Sequence, residues 1–146
     1  MQIRTMQIED YDAVFALWKS CSGMGLNDID DSRSGIERFL QRNPEICLVA
    51  VEETAVIGAI LVGSDGRRAY IYHTAVAPER QKQGIGSQLV QAAKKAVQKI
   101  GIAKIALVVF SRNQSGNAFW EKQGFSVRED LTYRNLALQE MTRMDT

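Results

Sequence analysis

The sequence predicts an α/β fold of the α+β kind: a mixed, mostly antiparallel central sheet of about seven strands, with about four helices on both faces. Three observations predict it. The elements read in the order β-α-α-β-β-β-α-β-α-β-β, with helices interspersed among strands. The middle of the chain is a meander of three strands joined by short turns. The helical stretches each carry one apolar stripe, so each covers a face rather than spanning the interior.

The elements follow in order. "QIRTM" is a short first strand. Tyr11, Val14, Phe15 and Trp18 then fall at i, i+3, i+4 and i+7, one face of a helix. Glu9 and Asp10 lie in its first turn, where carboxylates suit the helix dipole. "SGMGLNDIDDS" breaks the period and is a loop. A short helix carrying Ile36, Phe39 and Leu40 on one side stops at Asn43-Pro44. "ICLVAVE" and "AVIGAILVG" are strands joined at Glu53-Thr54. The Ser64-Asp65-Gly66 turn leads to a third, "RRAYIYHTAV". A helix over 86–100 has the stripe Ile85, Leu89, Ala93, Ala96, Val97 and Ile100, and Gly101 ends it. "AKIALVVF" reads as a buried strand, and "NQSGNAFWEKQ" as a helix ended by Gly124. "FSVRED" and "YRNLAL" read as two more strands.

The 146 residues show no repeat, no low-complexity tract and no linker, with prolines only at 44 and 78. One domain over 1–146 is the economical reading. A net charge of +1 sets up no global field to recruit nucleic acid or an anionic membrane. No apolar run approaches a membrane span, and "MQIRTMQIED" lacks the order of a signal peptide. A cytoplasmic location is expected. Cys21 and Cys47 have no metal spacing and read as buried or half-buried thiols. His73 is the only histidine, which excludes a multi-histidine metal site, and no metal is expected.

The stretch "PERQKQGIGSQL", residues 78–89, joins the third meander strand to the long helix. The first turn of a helix leaves backbone N–H groups without partners, and with the dipole they form an anion site. Gly84 and Gly86 let a ligand approach the backbone, and Arg80 and Lys82 add charge. No G-K-[ST] follows, and no third glycine completes a dinucleotide fingerprint. Taken alone, the stretch is equally well a helix start that tolerates two glycines.

A second segment bears on this choice. "QKQGIG" over 81–86 is Q-x-x-G-x-G, and "NQSGNAFWEKQGF" follows over 113–125. This pair, in this order and among these strands, resembles the GCN5-related N-acetyltransferase (GNAT) family, from Ile3 to about Leu138. The resemblance implies that the loop wraps the pyrophosphate of acetyl-coenzyme A (acetyl-CoA), the co-substrate. The matching positions are Gln81, Lys82, Gln83, Gly84, Ile85, Gly86 and Ser87. It also implies that the strand end around Thr74, Ala75 and Val76 splays from "IALVVF". The pantetheine arm then lies in the gap like an added strand, and an N–H near Val76 polarises the thioester carbonyl. Asn113 matches a residue that touches the coenzyme arm, and it is equally a good helix N-cap. Gly116 and Ala118 are small where the helix nears the coenzyme.

The chain departs from the family pattern in two places. Trp120 stands where the family often has the tyrosine that protonates the thiolate, and indole N–H does not supply that proton. Trp120 is expected to pack against the coenzyme arm or the core. The family's glutamate on the fourth strand has no counterpart in "AYIYHTAV". Tyr70, Tyr72 and His73 are the candidates there, with the two tyrosines on one face of an alternating strand and His73 on the other.

The implied reaction is direct attack of a primary amine on acetyl-CoA in a ternary complex. The cysteines are poor nucleophile candidates, being remote in sequence from the coenzyme motifs. Asp28, Asp30 and Asp31 in "GLNDIDDSR" would attract a cationic amine; alternatively Asp31 or Ser32 caps the next helix. Arg67 and Arg68 would favour an acidic acceptor, or are exposed hairpin charges. A non-catalytic acetyl-CoA-binding module and a transferase using another acyl-CoA are the alternatives. A homodimer is compatible with the family's habit of pairing its last strands.

Overall fold

The computed structural model describes residues 1–145. Five strands form one sheet in the order β1-β2-β3-β4-β5. They are β1 Gln2–Thr5, β2 Leu48–Glu52, β3 Ala55–Ser64, β4 Ala69–Val76 and β5 Ile105–Leu107. The first four pair antiparallel and β5 joins β4 in parallel. The helices are α1 Tyr11–Ser20, α2 Arg33–Arg42, α3 Ile85–Lys99 and α4 Gln114–Lys122. No helix among the described residues is long and apolar enough to cross a membrane.

Alternation of apolar side chains along β2 and β3 builds two cores. Val49, Ala59 and Leu61 meet Val14, Leu17 and Trp18 of α1 and Ile36 and Leu40 of α2. Leu48, Ala50, Ile60 and Val62 meet Ile85, Leu89, Val90, Ala93 and Val97 of α3. Burying each such aliphatic side chain contributes about 1.5–3 kcal/mol. Phe119 and Trp120 of α4 cover the edge of the second core.

The helix ends follow the chemistry of their residues. Ser32 Oγ accepts from Gly35 N at 3.1 Å and caps α2. Asn43 ends α2 and ties it to β3, its Oδ1 accepting from Ser64 N at 2.9 Å. Gly101 and Gly124 follow α3 and α4 with φ of +85° and +95°, the left-handed geometry that glycine adopts without strain. The Asp65 turn is closed by its own carboxylate, which accepts from Arg67 N and Arg68 N and is thereby held below the usual carboxylate range.

The sheet is two strands smaller than the sequence suggests. "FSVRED" and "YRNLAL" join no strand ladder, and "AKIALVVF" pairs only over Ile105–Leu107. β5 is a half-exposed edge rather than a buried strand. A period of two marks a strand only when a partner supplies the ladder. Here the returning chain bonds elsewhere. Met144 N donates to Leu26 O at 2.9 Å, and Asp28 N donates to Thr142 O at 3.0 Å. The Asp145 carboxylate accepts from Gly25 N and Leu26 N. The backbone pairing thus goes to the loop between α1 and α2.

Two truncations distinguish this architecture from a seven-stranded one. Leu89→Ala empties a fully buried site and should cost about 2–5 kcal/mol. Leu138, 92% exposed, should lose no more than about 0.5 kcal/mol when cut to alanine. Urea unfolding of both variants checks this. A Leu138→Ala loss comparable to that of Leu89→Ala would place the C-terminal segment in the sheet after all.

Candidate active site

The site begins with an interrupted strand pair. β4 and β5 pair only at Ala69–Ile105, Tyr70–Ala106 and Ile71–Leu107. From Thr74 to Val76, β4 keeps its β3 partner and has no ladder on the other edge. Ala77 N donates to Ile57 O at 2.9 Å, so the alternating peptide of Val76 turns its N–H and C=O away from β3, toward the gap. The carbonyl there accepts from Gln81 Nε2 at 3.1 Å and from Cys21 Sγ at 3.5 Å.

The loop after β4 carries the helix start to the same place. It passes through one 3-10 turn, Pro78–Arg80, and is braced by a two-pronged bond from Arg80 to Glu52 at 2.7 and 3.0 Å. That pairing holds the Glu52 carboxyl below its ordinary range. Arg80 also donates to Gln83 Oε1. Lys82 and Gly84 have φ of +63° and +84°. At Gly84 the positive φ turns the chain into α3, whose first i→i−4 bond runs from Gln88 N to Gly84 O. The N–H groups of Ile85, Gly86 and Ser87 therefore have no helical partner.

Two side chains of this turn are already committed to the protein, while Lys82 is exposed. Ile85 lies in the core, and Ser87 Oγ accepts from Gln123 Nε2 at 2.8 Å. A Cβ at Gly86 would stand 3.3 Å from the Phe119 ring, so glycine is what lets α4 close on α3. Asn113 is the N-cap of α4, accepting from Gly116 N at 2.9 Å. Trp120 packs edge-on against Phe119 and Phe125, with ring centroids 5.0 and 5.3 Å apart. The residues from Thr74 to Ser87 thus gather at one corner. Asn113, Gly116 and Trp120 lie on the helix that packs against that corner.

On the opposite face of the sheet, a cleft of about 460 Å³ opens between β4, α2 and the loop before α2. Tyr72 and His73 both line it. Strict alternation puts them on opposite faces. The β3–β4 register, however, shifts between Ile60–Thr74 and Val62–Ile71, so β4 has one extra residue there. This bulge turns both side chains toward α1 and α2. Tyr72 meets Phe39 edge-on at 5.5 Å, and His73 meets Trp18 at 4.8 Å. Tyr70 tilts against Tyr72 at 4.9 Å. Burial, and then the nearby Tyr133 phenol, push both tyrosines up from their ordinary values, so they stay protonated near neutral pH.

The three loop aspartates separate in role. Asp28 accepts from Thr142 N and Asp30 from Asn27 Nδ2. Asp31 is 3% exposed and is not the helix cap; its Oδ1 lies 2.7 Å from His73 Nε2 and its Oδ2 accepts from Asn27 N. No local sequence signal links Asp31 to His73, 42 residues apart. Nor does any link Cys21 to Val76, 55 residues apart, although the thiol reaches the coenzyme-motif corner in space. Arg67 and Arg68 lie exposed in the hairpin turn, away from the cleft.

Sheet, interrupted strand pair and glycine-opened helix together define an acyltransferase fold, and the comparisons give it its family. The Acetyltransferase (GNAT) family matches residues 11–125, and the chain belongs to that family. An acetyltransferase of Sodalis glossinidius is 30% identical over 131 residues, covering 90% of this chain and 91% of that protein. One of Pectobacterium atrosepticum is 30% identical over 132 residues, covering 90% and 92%. Among solved structures, Ard1 from Thermoplasma volcanium superposes with TM-score 0.78 at 21% identity, covering 87% and 83%. The PaiA N-acetyltransferase from Thermoplasma acidophilum, solved in complex with coenzyme A, does so with TM-score 0.76 at 24% identity, covering 88% and 91%. These structures share the fold.

The two thiols should behave differently. Cys47 is buried and its thiol is pushed up to about 12, whereas Cys21 is partly open beside Val76. A disulfide-exchange reagent should titrate one thiol in the native protein and two after unfolding, and none in native Cys21→Ser. Two native thiols reacting at equal rates would contradict the burial of Cys47.

Proposed function

We propose that the chain moves the acetyl group of acetyl-CoA to a primary amine by direct attack in a ternary complex. The observation that carries this reading is the parting of β4 from β5 beside a helix start with unpaired N–H groups. The gap offers one free strand edge, long enough for a pantetheine arm to bond as an extra strand. The N–H groups of Ile85, Gly86 and Ser87, at the positive end of α3, suit the pyrophosphate. Ile85 and Ser87 are held by the protein, so backbone donors carry that contact, with the exposed Lys82 adding charge beside them.

In this reading the Val76 N–H, turned into the gap, polarises the thioester carbonyl. The neighbouring Cys21 and Gln81 already hold the Val76 carbonyl, which fixes the peptide that follows this N–H. The acceptor enters from the cleft on the other face, where Tyr72 and Phe39 form an aromatic wall. Holding amine and thioester in contact supplies much of the acceleration. The coenzyme A complex of the Thermoplasma acidophilum relative supports the donor half of this picture. Two unpaired thiols suit a reducing cytoplasm.

Trp120 favours a second reading. Its ring is packed among Phe119 and Phe125, and its indole N–H is too weak an acid to protonate a thiolate. A module that binds acetyl-CoA without turning it over would tolerate this, as would a transferase whose thiolate is protonated by water. Thiol release over a panel of amines and N-terminal peptides separates the two, and a panel of acyl-CoA donors tests the choice of acyl group.

Gly84→Val forces a branched residue to a φ of +84°, a strain of about 1–2 kcal/mol that the chain relieves by moving the helix start. Calorimetric titration should show coenzyme A affinity at least tenfold weaker, with cooperative melting retained. Gly66→Val places the same strain at +90° in the distant hairpin and should leave affinity unchanged. Equal affinity in the Gly84 variant and the wild type would remove the helix start from the donor site.

A further inference from the structure

His73 and Asp31 stand out among the groups with no structural necessity to meet. The only imidazole of the chain lies at the cleft, on a bulge that breaks the alternation of β4. Its Nε2 is 2.7 Å from a carboxylate buried to 3% exposure. An isolated buried carboxylate is costly, and this one is kept by a ring nitrogen, the Asn27 N–H and little else. An ionised carboxylate only accepts, so the shared hydrogen belongs to Nε2 and Nδ1 keeps the lone pair. Nδ1 has no hydrogen-bond partner among the described residues. It is also not among their buried unpaired side-chain atoms, which are Trp18 Nε1 and Thr74 Oγ1, so solvent reaches it.

Resting on the transferase reading above, we propose that His73 is the general base of the reaction and that Asp31 is its positioning residue, setting the tautomer and stabilising the imidazolium. Val76 lies three positions beyond His73 on the same strand, a span of about 10 Å. An amine nitrogen seated at the thioester carbonyl, with one ordered water beside it, bridges that distance. His73 Nδ1 takes a proton from the acceptor's ammonium through that water. The freed nitrogen lone pair forms the N–C bond, and the C–S bond breaks with its electron pair leaving on sulfur. The second nitrogen proton passes through solvent to the thiolate, and the imidazolium returns its proton to solvent. The products are an amide and free coenzyme A. This assignment gives the reaction a base although β4 carries no carboxylate.

The groups facing His73 define what a pH profile reports. Asp31 and Asp30 face it from the loop, Arg38 and Arg42 share the cleft from α2, and Tyr72 lies beside it on β4. Trp18 covers it from α1 and does not titrate. Of these only Asp31 bonds the ring.

Two experiments test the assignment. The first needs no acceptor. Proton–nitrogen correlation spectra of the single imidazole, recorded across pH, should show hydrogen on Nε2 in the neutral form. In Asp31→Ala the hydrogen should redistribute between the two nitrogens, and in Asp31→Glu it should stay on Nε2. Hydrogen on Nδ1 in the wild type, or an unchanged tautomer in Asp31→Ala, overturns the role of Asp31. The second is thiol release from acetyl-CoA with phenethylamine, chosen for the aromatic wall of the cleft, alongside the amine and peptide panel. His73→Gln should lower kcat/KM by about 10²–10⁴-fold and remove the acidic limb of the profile, with coenzyme A affinity within twofold of wild type. His73→Gln activity within threefold of wild type, with the same limb, overturns the base. If His73→Gln fails to fold, His73→Asn is read by the same criteria. A wild type that binds coenzyme A but acetylates nothing in the panel refutes the transferase reading and the base with it, while the tautomer result still stands.

Discussion

β4 is paired on both edges over Ala69–Ile71 and on one edge only over Thr74–Val76. The functional geometry of the molecule depends on that one-sidedness. Within a sheet, an unpaired edge is a row of backbone donors and acceptors with nothing to bond. Here the edge is left open because β5 ends at Leu107, opposite Ile71. Val76 turns its own N–H and C=O away from β3 because the next N–H, that of Ala77, is spent on Ile57. The helix start at Gly84 is held nearby because Gln81 grips the Val76 carbonyl and Arg80 grips Glu52. A strand edge and a helix N-terminus are each common, and it is their fixed separation that makes a site.

The opposite face depends on a second irregularity in the same strand. The bulge at Tyr72–His73 presents two consecutive side chains to one cleft, so one strand offers an open edge on one side and two side chains to the cleft. The loop that completes the cleft is held at two ends. Ser32 caps α2 just after it, and residues 142–145 bond its first residues through backbone and carboxylate groups. Phe110, just past β5, lies 3.8 Å from where a Cβ of Gly25 would be, with the Arg112 and Arg143 guanidiniums over its ring. The C-terminal segment thereby supports the loop before α2 rather than the sheet.

These features were not equally legible in the sequence. The helices carry their own signals, in the stripe Leu89–Ala93–Val97, the serine before α2 and the glycines after α3 and α4, and they appear where the pattern places them. The three-strand meander was legible for the same reason: turn residues and alternation are local. The C-terminal strands were not, because Val127, Leu131 and Tyr133 alternate as a strand would while the partner they need is absent from the sheet. The glycine loop was legible through its resemblance to a family. The meeting of Asp31 with His73 was not, since it depends on a register shift of one residue that inverts a side chain. Cys21 illustrates the same limit: it is remote from Val76 in sequence and in contact with it in space.

The central claim is that the free edge of β4 and the first turn of α3 form one donor site. Amide hydrogen exchange with and without coenzyme A tests it most directly, because both halves of the site are backbone N–H groups. The account predicts that coenzyme A slows exchange in two separated segments together, the end of β4 through Val76 and the turn from Gly84 to Gln88, with little change in β1, β2 or the C-terminal segment. Protection confined to other parts of the chain, or slowing in only one of the two segments, would contradict it.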